Sequence, residues 1–259
     1  YNILNGMFRL AVENGIIMKN PCGGVILPET TTRDQRVLTV EEQKEVLKYA
    51  KNRACETLVR VALGTGMRAG EILALTWDDV DFERREINVN KTLLYMRDKK
   101  TGKYVFKNQE PKTKTGKRII PMQLDVYHAL KKQRFLMKQL KFHANKWSPL
   151  KGFDNLIFVN SKGKPRRVGE FRKDLQLIEE DINRDRAKKG KSPMKHFYPH
   201  ALRHTFATRC FESGIGAKTV QTWLGHSSVA ITLDLYTHVT DDKSKCDMDK
   251  LDQVYQKLG

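Results

Sequence analysis

A histidine and an arginine three residues apart are the first residues of this sequence whose types and spacing suggest chemistry. His200 and Arg203 lie in PHALRHTFATRCFESG, residues 199–214, which is compatible with a helix. Positions i and i+3 share one helix face, about 5–6 Å apart at the Cβ atoms, so both side chains can reach one object. A phosphate suits them, because arginine binds two phosphate oxygens at once and imidazole adds a hydrogen bond or a proton. Taken alone, the pair also fits a helix start with a solvated arginine.

The overall charge favours nucleic acid as the source of that phosphate. Lys and Arg number 48 against 30 Asp and Glu, a formal net charge of +18. Such a balance is typical of proteins that bind nucleic acid. No apolar run approaches the roughly 20 residues that span a bilayer, so we expect no membrane partner. Basic residues concentrate in three predicted turns: KTKTGKR at 112–118, KGKPRR at 162–167 and RDRAKKGKSPMK at 184–195.

The cysteine pattern argues against a disulfide framework and against a zinc site. The four cysteines are widely separated and never form a CxxC pair: Cys22, Cys55, Cys210 and Cys246. Spacing of this kind fits neither secreted disulfide scaffolds nor zinc ribbons. Four separate, unpaired cysteines are consistent with a protein of the reducing cytoplasm.

The start of the chain reads as the end of another domain. Apolar residues recur at helical spacing until Asn20-Pro21, where proline cannot continue a helix. The following residues are rich in Pro, Gly and Thr, as linkers are. Because the chain opens in a helical pattern without Met, we expect residues 1–25 to be the C-terminal end of a truncated helical domain and 26–37 a linker.

The elements that must position the His-Arg pair alternate between helices and a small sheet. Thr39 followed by Glu42 predicts a capping box that starts a helix. A second helix is predicted from Glu56 to Leu63, ending at GTG, with β character over 86–121, a helix over 122–142, a short strand NLIFVN and helices from 168 onward. The fold class is therefore predicted as α+β: mainly helical, with a small antiparallel sheet and a hairpin.

Three motifs in chain order carry a family resemblance. They are GTGMRAGEILALTW at 64–77, HALRH at 200–204 and TWLGHSSVAITLDLYTHVT at 222–240. In this order, with a hairpin lysine between the first two, they resemble the tyrosine recombinase (phage integrase) family, most closely the integrases of conjugative transposons. The likeness covers about residues 38–240, which it implies to be the catalytic domain, and residues 1–25 look like the end of the family's core-binding domain.

The resemblance implies a catalytic set, carried over motif by motif. Arg68 in TGMRAGE matches the first catalytic arginine, and Glu71 matches the acidic position that follows. Lys114 in PKTKTGKRIIP matches the hairpin lysine, although Lys112 and Lys117 remain alternatives. The other members are the pair His200 and Arg203, His226 in LGHSS, and Tyr236 in LDLYTH as the nucleophile.

These roles imply a site-specific recombinase that cleaves DNA through a 3′-phosphotyrosine intermediate. A tyrosine hydroxyl, with a pKa near 10, is a weak nucleophile, and a group of cations favours its phenolate and neutralises charge on the phosphate. The resemblance assigns the protonation of the leaving 5′ oxygen to the hairpin lysine, which suits a lysine whose pKa neighbouring cations lower toward working pH. We find no convincing carboxylate pair for two metal ions, so a reaction without metal or other cofactor is expected.

The basic turns predict a DNA surface around that centre. The side chains expected to contact DNA are Lys112, Lys117, Arg118, Lys164, Arg166 and Arg167. Residues 94–107 form a hairpin longer than a lysine-bearing turn needs, and we expect it to contact DNA or a partner and shape the duplex. The tail 241–259 has an apolar stripe at helical spacing, which predicts docking on a neighbouring copy or, alternatively, on its own domain.

The resemblance further implies partners and place. These are double-stranded DNA at element ends and target sites, copies of the chain itself in dimers to tetramers on DNA, and an excisionase or DNA-bending factor. The expected location is the bacterial cytoplasm, on the nucleoid when bound. Two alternatives remain open at this point: a type IB topoisomerase or telomere resolvase with similar chemistry, and a module that binds DNA or RNA without cutting it.

Overall fold

The structure is a computed structural model that describes residues 1–28, 35–111, 114–143 and 147–230, except the side chain of residue 114. Contacts between residues divide the chain into two compact units, Tyr1–Asp34 and Gln35–Gly259. The division falls inside the linker predicted at 26–37. Within the described ranges, no helix is both long and apolar enough to cross a membrane.

Among its described residues, 1–28, the first unit contains one helix, α1 (Asn2–Glu13). It is shorter than the pattern up to Asn20 predicts. The chain leaves the helix at Asn14 and turns at Gly15, whose φ of +68° favours glycine. Several apolar side chains of this unit are exposed, among them Ile3, Leu4, Met7 and Leu10.

The second unit contains seven helices among the described residues. Their bounds are α2 (Val40–Ala50), α3 (Glu56–Thr65), α4 (Ala69–Leu73), α5 (Leu124–His143), α6 (Val168–Lys188), α7 (Pro199–Glu212) and α8 (Ala217–Leu224). The predicted capping box is confirmed at the start of α2. The Thr39 hydroxyl accepts from the Glu42 N–H, and the Glu42 carboxylate accepts from the Thr39 N–H at 3.0 Å.

The described part of this unit also contains two small antiparallel sheets. The strands are β1 (Val80–Asp81), β2 (Glu86–Val89), β3 (Thr92–Arg97), β4 (Tyr104–Gln109) and β5 (Arg118–Pro121). One sheet has the order β1-β2-β5, and β3 pairs with β4 as the predicted hairpin. The predicted strand NLIFVN is wrong: this segment makes only isolated bridges, Thr76 with Leu156 and Val159 with Pro165. The mainly helical α+β class is confirmed.

The helix α3 lies at the centre of the core and fixes the start of α4. Most of its residues are buried, and it packs against α2, α5 and α7. Gly66 ends it in the left-handed conformation, with φ of +62°. A Cβ at Gly66 would lie 2.4 Å from a ring carbon of Phe206 in α7, so the sharp turn toward Arg68 requires glycine.

Candidate active site

One buried arginine joins two separate turns of the second unit. Proline at the first position of α7 starts this helix, which places Arg203 on its second turn, 2% exposed. The Arg203 guanidinium donates from Nη1 to the carbonyl oxygen of Gly66 and from Nη2 to that of Leu224, both at 2.8 Å. These carbonyls belong to the ends of α3 and α8, where helices leave acceptors unsatisfied. Arg203 therefore holds the two helix ends beside one another.

The two helix ends are those that precede Arg68 and His226. Arg68 follows Gly66 by two residues and is the N-cap of α4, and its side chain is 45% exposed. Its Nη1 donates to Glu71 at 2.9 Å, and its backbone N–H donates to the other carboxylate oxygen at 2.9 Å. His226 follows Leu224 by two residues, and backbone and side-chain bonds with Gln221 hold its main chain. The structure thus brings Arg68, Arg203 and His226 to one centre.

The histidines of this centre are held neutral near pH 7. Desolvation, followed by the charges of Arg203 and Arg68, lowers the pKa of His200 below its ordinary value. The same causes in the same order lower the pKa of His226 to about 4. A neutral imidazole both accepts and donates a proton, so each ring is suited to proton transfer or to a hydrogen bond with phosphate.

Arg203 keeps its charge in spite of burial. Desolvation, and secondarily the charge of Arg68, lowers its pKa to about 9. A group with that pKa is protonated at neutral pH. The two carbonyl bonds use only part of the five N–H donors of a guanidinium, so Arg203 can bind a phosphate while it holds the helix ends.

The lysine candidates lie in the turn before β5. Lys114 begins a short 3-10 turn, Lys114–Gly116, and its side chain is outside the described residues, as is the whole of Lys112. Lys117 is exposed and its Nζ lies 2.8 Å from a carboxylate oxygen of Glu110. The choice of Lys114 over its neighbours stays a prediction.

Arg118 does not occupy the DNA surface where the sequence predicts it, and this expectation is corrected. Its side chain is 3% exposed, and its Nη2 lies 2.8 Å from a carboxylate oxygen of Glu71. Side chains alternate between the two faces of a strand, and in β5 Arg118 and Ile120 turn inward while Ile119 is exposed. Its donors are bound within the protein, to the Glu71 carboxylate and to the carbonyl oxygens of Gly116 and Trp223, so Arg118 is not part of the basic surface.

The other predicted DNA contacts lie near the hairpin. Arg166 pairs with Asp174, and Arg167 pairs with Glu170 at 3.0 Å while its guanidinium stacks 5.4 Å from the ring centre of Tyr95. Both arginines line an open cavity of about 610 Å³ between β3, β4 and the start of α6. The predicted residue Lys164 is exposed in the turn before them. Their contact with DNA stays a prediction.

The predicted nucleophile and the tail lie outside the described residues. The description ends at residue 230, before Tyr236 and the segment 241–259. In the described part of the chain, no three His, Cys, Asp or Glu side chains are grouped so that they could hold a metal ion.

Sequence reasoning missed the supports beneath the catalytic candidates. These are the two left-handed glycines, Gly66 and Gly225, and the buried pair of Arg118 and Glu71. The pattern R-I-I-P, with alternate residues on one face, was the available signal for Arg118. Nothing in the sequence indicated that Gly225 must accommodate a neighbouring loop.

Comparison with a family model and with related sequences points to the same family. The model of the phage integrase family matches residues 36–243. A tyrosine recombinase XerC-like protein of Caldanaerobacter subterraneus subsp. tengcongensis is 31% identical over 263 residues, covering 98% of this chain and 65% of the relative. The transposase from transposon Tn916 of Enterococcus faecalis is 30% identical over 263 residues, covering 98% of this chain and 61% of the relative.

A solved structure is similar over most of the chain. The Tn1549 transposon integrase in complex with transposon right end DNA has a TM-score of 0.75 and 28% identity, covering 95% of this chain and 76% of that one. The present chain spans about three fifths of the length of the two curated relatives above.

Proposed function

The chain belongs to the phage integrase family, and from that premise we propose that it is the catalytic part of a site-specific recombinase of a mobile element. The observation that supports the proposal is the pair of hydrogen bonds from Arg203 to the carbonyl oxygens of Gly66 and Leu224, which holds the segments that lead to Arg68 and His226 beside one another. The names of similar proteins, a Tn916 transposase and a Tn1549 integrase bound to transposon DNA, support a conjugative-transposon element.

In the cleavage step, Tyr236 supplies the nucleophile. Its hydroxyl oxygen forms a bond to the scissile phosphorus while the bond from phosphorus to the 5′ oxygen breaks. The product is a 3′-phosphotyrosine ester, which retains the energy of the broken phosphodiester bond. The neutral ring of His200 accepts the phenolic proton, since its lowered pKa leaves a nitrogen lone pair free at neutral pH.

The charge that grows on the phosphate is neutralised by fixed donors. Arg68 and Arg203 approach the non-bridging oxygens, and His226 donates a hydrogen bond to one of them. Preorganised donors of this kind are the largest single contribution in many enzymes, because they need no rearrangement when the charge develops. Glu71 orients Arg68 through the 2.9 Å bond to its Nη1.

Lys114 gives a proton to the departing 5′ oxygen, which leaves as a hydroxyl group. Rejoining is the same sequence in reverse, with a 5′ hydroxyl from another strand attacking the phosphotyrosine. The proton from that hydroxyl returns to the lysine, and the tyrosine oxygen recovers its proton. Neither half-reaction consumes an external energy source.

The surroundings of the centre fit a protein that works in an assembly on DNA. We propose that Lys164, Arg166 and Arg167 contact the duplex and that the β3–β4 hairpin shapes it. The tail 241–259 docks on a neighbouring copy, which links active sites in a dimer or tetramer. An excisionase or DNA-bending factor assists at element ends, and the protein acts on the nucleoid in the bacterial cytoplasm.

The test is a covalent capture assay. A nicked duplex carrying an element end loses a short fragment after cleavage, so the phosphotyrosine cannot be resealed. Purified protein in EDTA should give an SDS-resistant protein–DNA adduct, and Tyr236→Phe should give none. Wild-type protein that binds this DNA without forming the adduct would instead support the non-cutting binding module.

A relaxation assay separates the proposed recombinase from the topoisomerase alternative. Supercoiled plasmid that lacks element ends should stay supercoiled in the presence of the protein. Relaxation of such a plasmid would favour the topoisomerase-like or resolvase-like enzyme. The recombinase and transposase names of the relatives favour the first outcome.

A further inference from the structure

Arg118 is a charged residue in a core position of β5. Its four hydrogen bonds within the described structure go to three partners. Nη2 and Nη1 donate to the two carboxylate oxygens of Glu71 at 2.8 and 3.3 Å, Nη1 donates to the Gly116 carbonyl at 3.3 Å, and Nε donates to the Trp223 carbonyl at 2.6 Å. Burying a cation is costly unless its charge and its donors are all compensated, and this set of partners compensates Arg118.

Each of the three partners stands next to a different catalytic candidate. Glu71 accepts from Arg68 at 2.9 Å. Gly116 closes the 3-10 turn that Lys114 begins. Trp223 lies three residues before His226, and the next carbonyl, that of Leu224, is the one that Arg203 holds.

The contact between the lysine turn and the end of α8 is close. Gly225 has φ of +66°, and a Cβ there would lie 3.0 Å from Nη1 of Arg118 and 3.1 Å from the carbonyl oxygen of Thr115. The backbone of the turn therefore packs on the residue that precedes His226. Arg118 sits in this junction, and a change in its length or fork alters the spacing between the two segments.

We propose that Arg118 is a positioning residue for strand cleavage, which holds the turn bearing Lys114 at a fixed place relative to Arg68 and His226. The inference rests on the proposed function, because it assigns Arg118 to the protonation of the 5′ oxygen in that reaction. It replaces the DNA contact that the sequence suggested for this residue.

Only arginine fits this role. Its planar fork spans the Glu71 carboxylate while Nε reaches a third partner in another direction, which a single ammonium group cannot do. Burial alone raises the pKa of Glu71, but the hydrogen bond and charge of Arg118 lower it below its ordinary value overall, so the pair stays ionised. Lysine at this position keeps the charge and loses the geometry.

The proposal makes a specific claim about one proton. During cleavage the Tyr236 oxygen bonds to phosphorus, the bond from phosphorus to the 5′ oxygen breaks, and the proton from Lys114 moves to that oxygen. A displaced turn slows this transfer and leaves the attack of tyrosine intact. A substrate whose leaving group needs no proton should therefore hide the defect.

The experiment compares two nicked duplexes, one ordinary and one with sulfur in place of the bridging 5′ oxygen. A thiol has a pKa near 8.5, so the sulfur departs as a thiolate without a proton donor. On ordinary DNA, Arg118→Met and Arg118→Lys should form adduct roughly 100-fold and 10-fold more slowly than wild type, in line with the effect of small displacements at active sites. On the sulfur substrate both should come within about 3-fold of wild type, as should Lys114→Ala, because departure of the thiolate does not need the general acid that the displaced turn carries.

Arg209→Met is the matched control. Arg209 also combines a backbone carbonyl, that of Leu38 at 2.7 Å, with polar side chains, and it lies on the last turn of α7. Its loss weakens the fold without touching the lysine turn. Any drop in its cleavage should be the same on both substrates. Thermal unfolding of every variant identifies those that fail to fold. If Arg118→Met is among them, the comparison of the two substrates uses Arg118→Lys instead.

Two results overturn the inference: full activity of the Arg118 variants on ordinary DNA, or a loss that the sulfur substrate does not restore. Failure of the proposed function is distinct from either. It appears as wild-type protein that forms no adduct on both substrates, or as an adduct that persists in Tyr236→Phe.

Discussion

The buried arginines beneath the candidate site and the arginines beside the hairpin are held in different ways. Arg203 and Arg118 are almost fully buried and bind main-chain carbonyls at helix ends and turns. Arg166 and Arg167 are more accessible. They precede α6 and pair with carboxylates of that helix. The first group joins segments distant in sequence, and the second group joins neighbours.

This difference separates two jobs that basic residues do in one chain. Carbonyls of packed helix ends cannot move far, so a cation bound to them has a fixed position that suits a reaction centre. Ion pairs with solvent access contribute at most about 1 kcal/mol and exchange readily, which suits the proposed DNA surface, where arginines would exchange carboxylates for phosphates. We therefore expect changes in the first group to alter rate and changes in the second to alter affinity.

The largest expected effect is that of Arg203→Lys. The variant keeps a charge and cannot hold Gly66 and Leu224 while it binds phosphate. Cleavage of the nicked duplex at saturating DNA should fall by about 10³-fold, a magnitude typical of lost charge stabilisation. Arg209→Lys, six residues later on the same helix, should remain within a few-fold of wild type. A loss below 10-fold in Arg203→Lys would contradict the assignment of the buried arginines to the reaction rate.

A pair of glycines tests whether the close packing at the centre matters beyond backbone strain. Gly225 and Gly214 both have positive φ, +66° and +82°, but a Cβ at Gly214 meets nothing within 4 Å. Backbone strain alone should destabilise the fold by about 1 kcal/mol in each alanine variant. Only Gly225→Ala displaces the lysine turn, and its cleavage rate should fall by roughly 10- to 100-fold. Equal cleavage rates in the two variants would show that backbone strain alone matters.

The same burial that fixes the arginines keeps a neighbouring histidine uncharged. His204 is 9% exposed and its ring lies 4.5 Å from that of His200. Its Nδ1 has no hydrogen-bond partner among the described residues. Burial, followed by the charges of His200 and Arg203, lowers the pKa of His204 to about 4.

This lowered pKa predicts a loss of stability in mild acid. The unfolded chain protonates His204 near pH 6.5 and the folded chain only near pH 4, so stability present above 6.5 is lost as pH falls through that window. Between pH 7.5 and 5 the contribution is roughly 1–2 kcal/mol in free energy of unfolding. In urea unfolding, the free energy of unfolding of His204→Leu should fall less between pH 7.5 and 5 than that of wild type. His128→Leu is the control variant, because it removes an exposed histidine and leaves the buried one in place.

The sequence predicted the elements whose signals are local. The capping box of Thr39 and Glu42 depends on four consecutive residues, and the structure confirms it. The hairpin also follows from neighbouring residues, since alternation and the turn at Asp98–Gly102 identify it. The mainly helical α+β class came from the sum of such signals and from a resemblance over three motifs.

What the sequence did not predict depends on contacts between distant segments. Arg118 points inward because β5 pairs with β2, with Arg118 opposite Val89. Its charge alone suggested a surface, and the partner that neutralises it, Glu71, lies 47 positions away. NLIFVN has strand-like composition, but residues 156 and 159 each make only a single bridge. Among the described residues, the segment therefore has no neighbouring strand with which to form a ladder, and composition alone does not make it a strand.

The smallest effects are expected on the surface beside the hairpin. Lys164→Ala and Arg167→Ala should each weaken DNA binding by about 2- to 5-fold, since each removes one phosphate contact. For the same reason, the slope of the logarithm of affinity against the logarithm of salt concentration should become shallower by about one in each variant. Cleavage at saturating DNA should be unchanged. Glu170→Gln gives a control of opposite sign, because it removes the carboxylate that pairs with Arg167 at 3.0 Å and should therefore strengthen binding. If Arg167→Ala slowed cleavage at saturating DNA by more than 10-fold, this surface would belong to the reaction centre, and the separation of rate from affinity would fail.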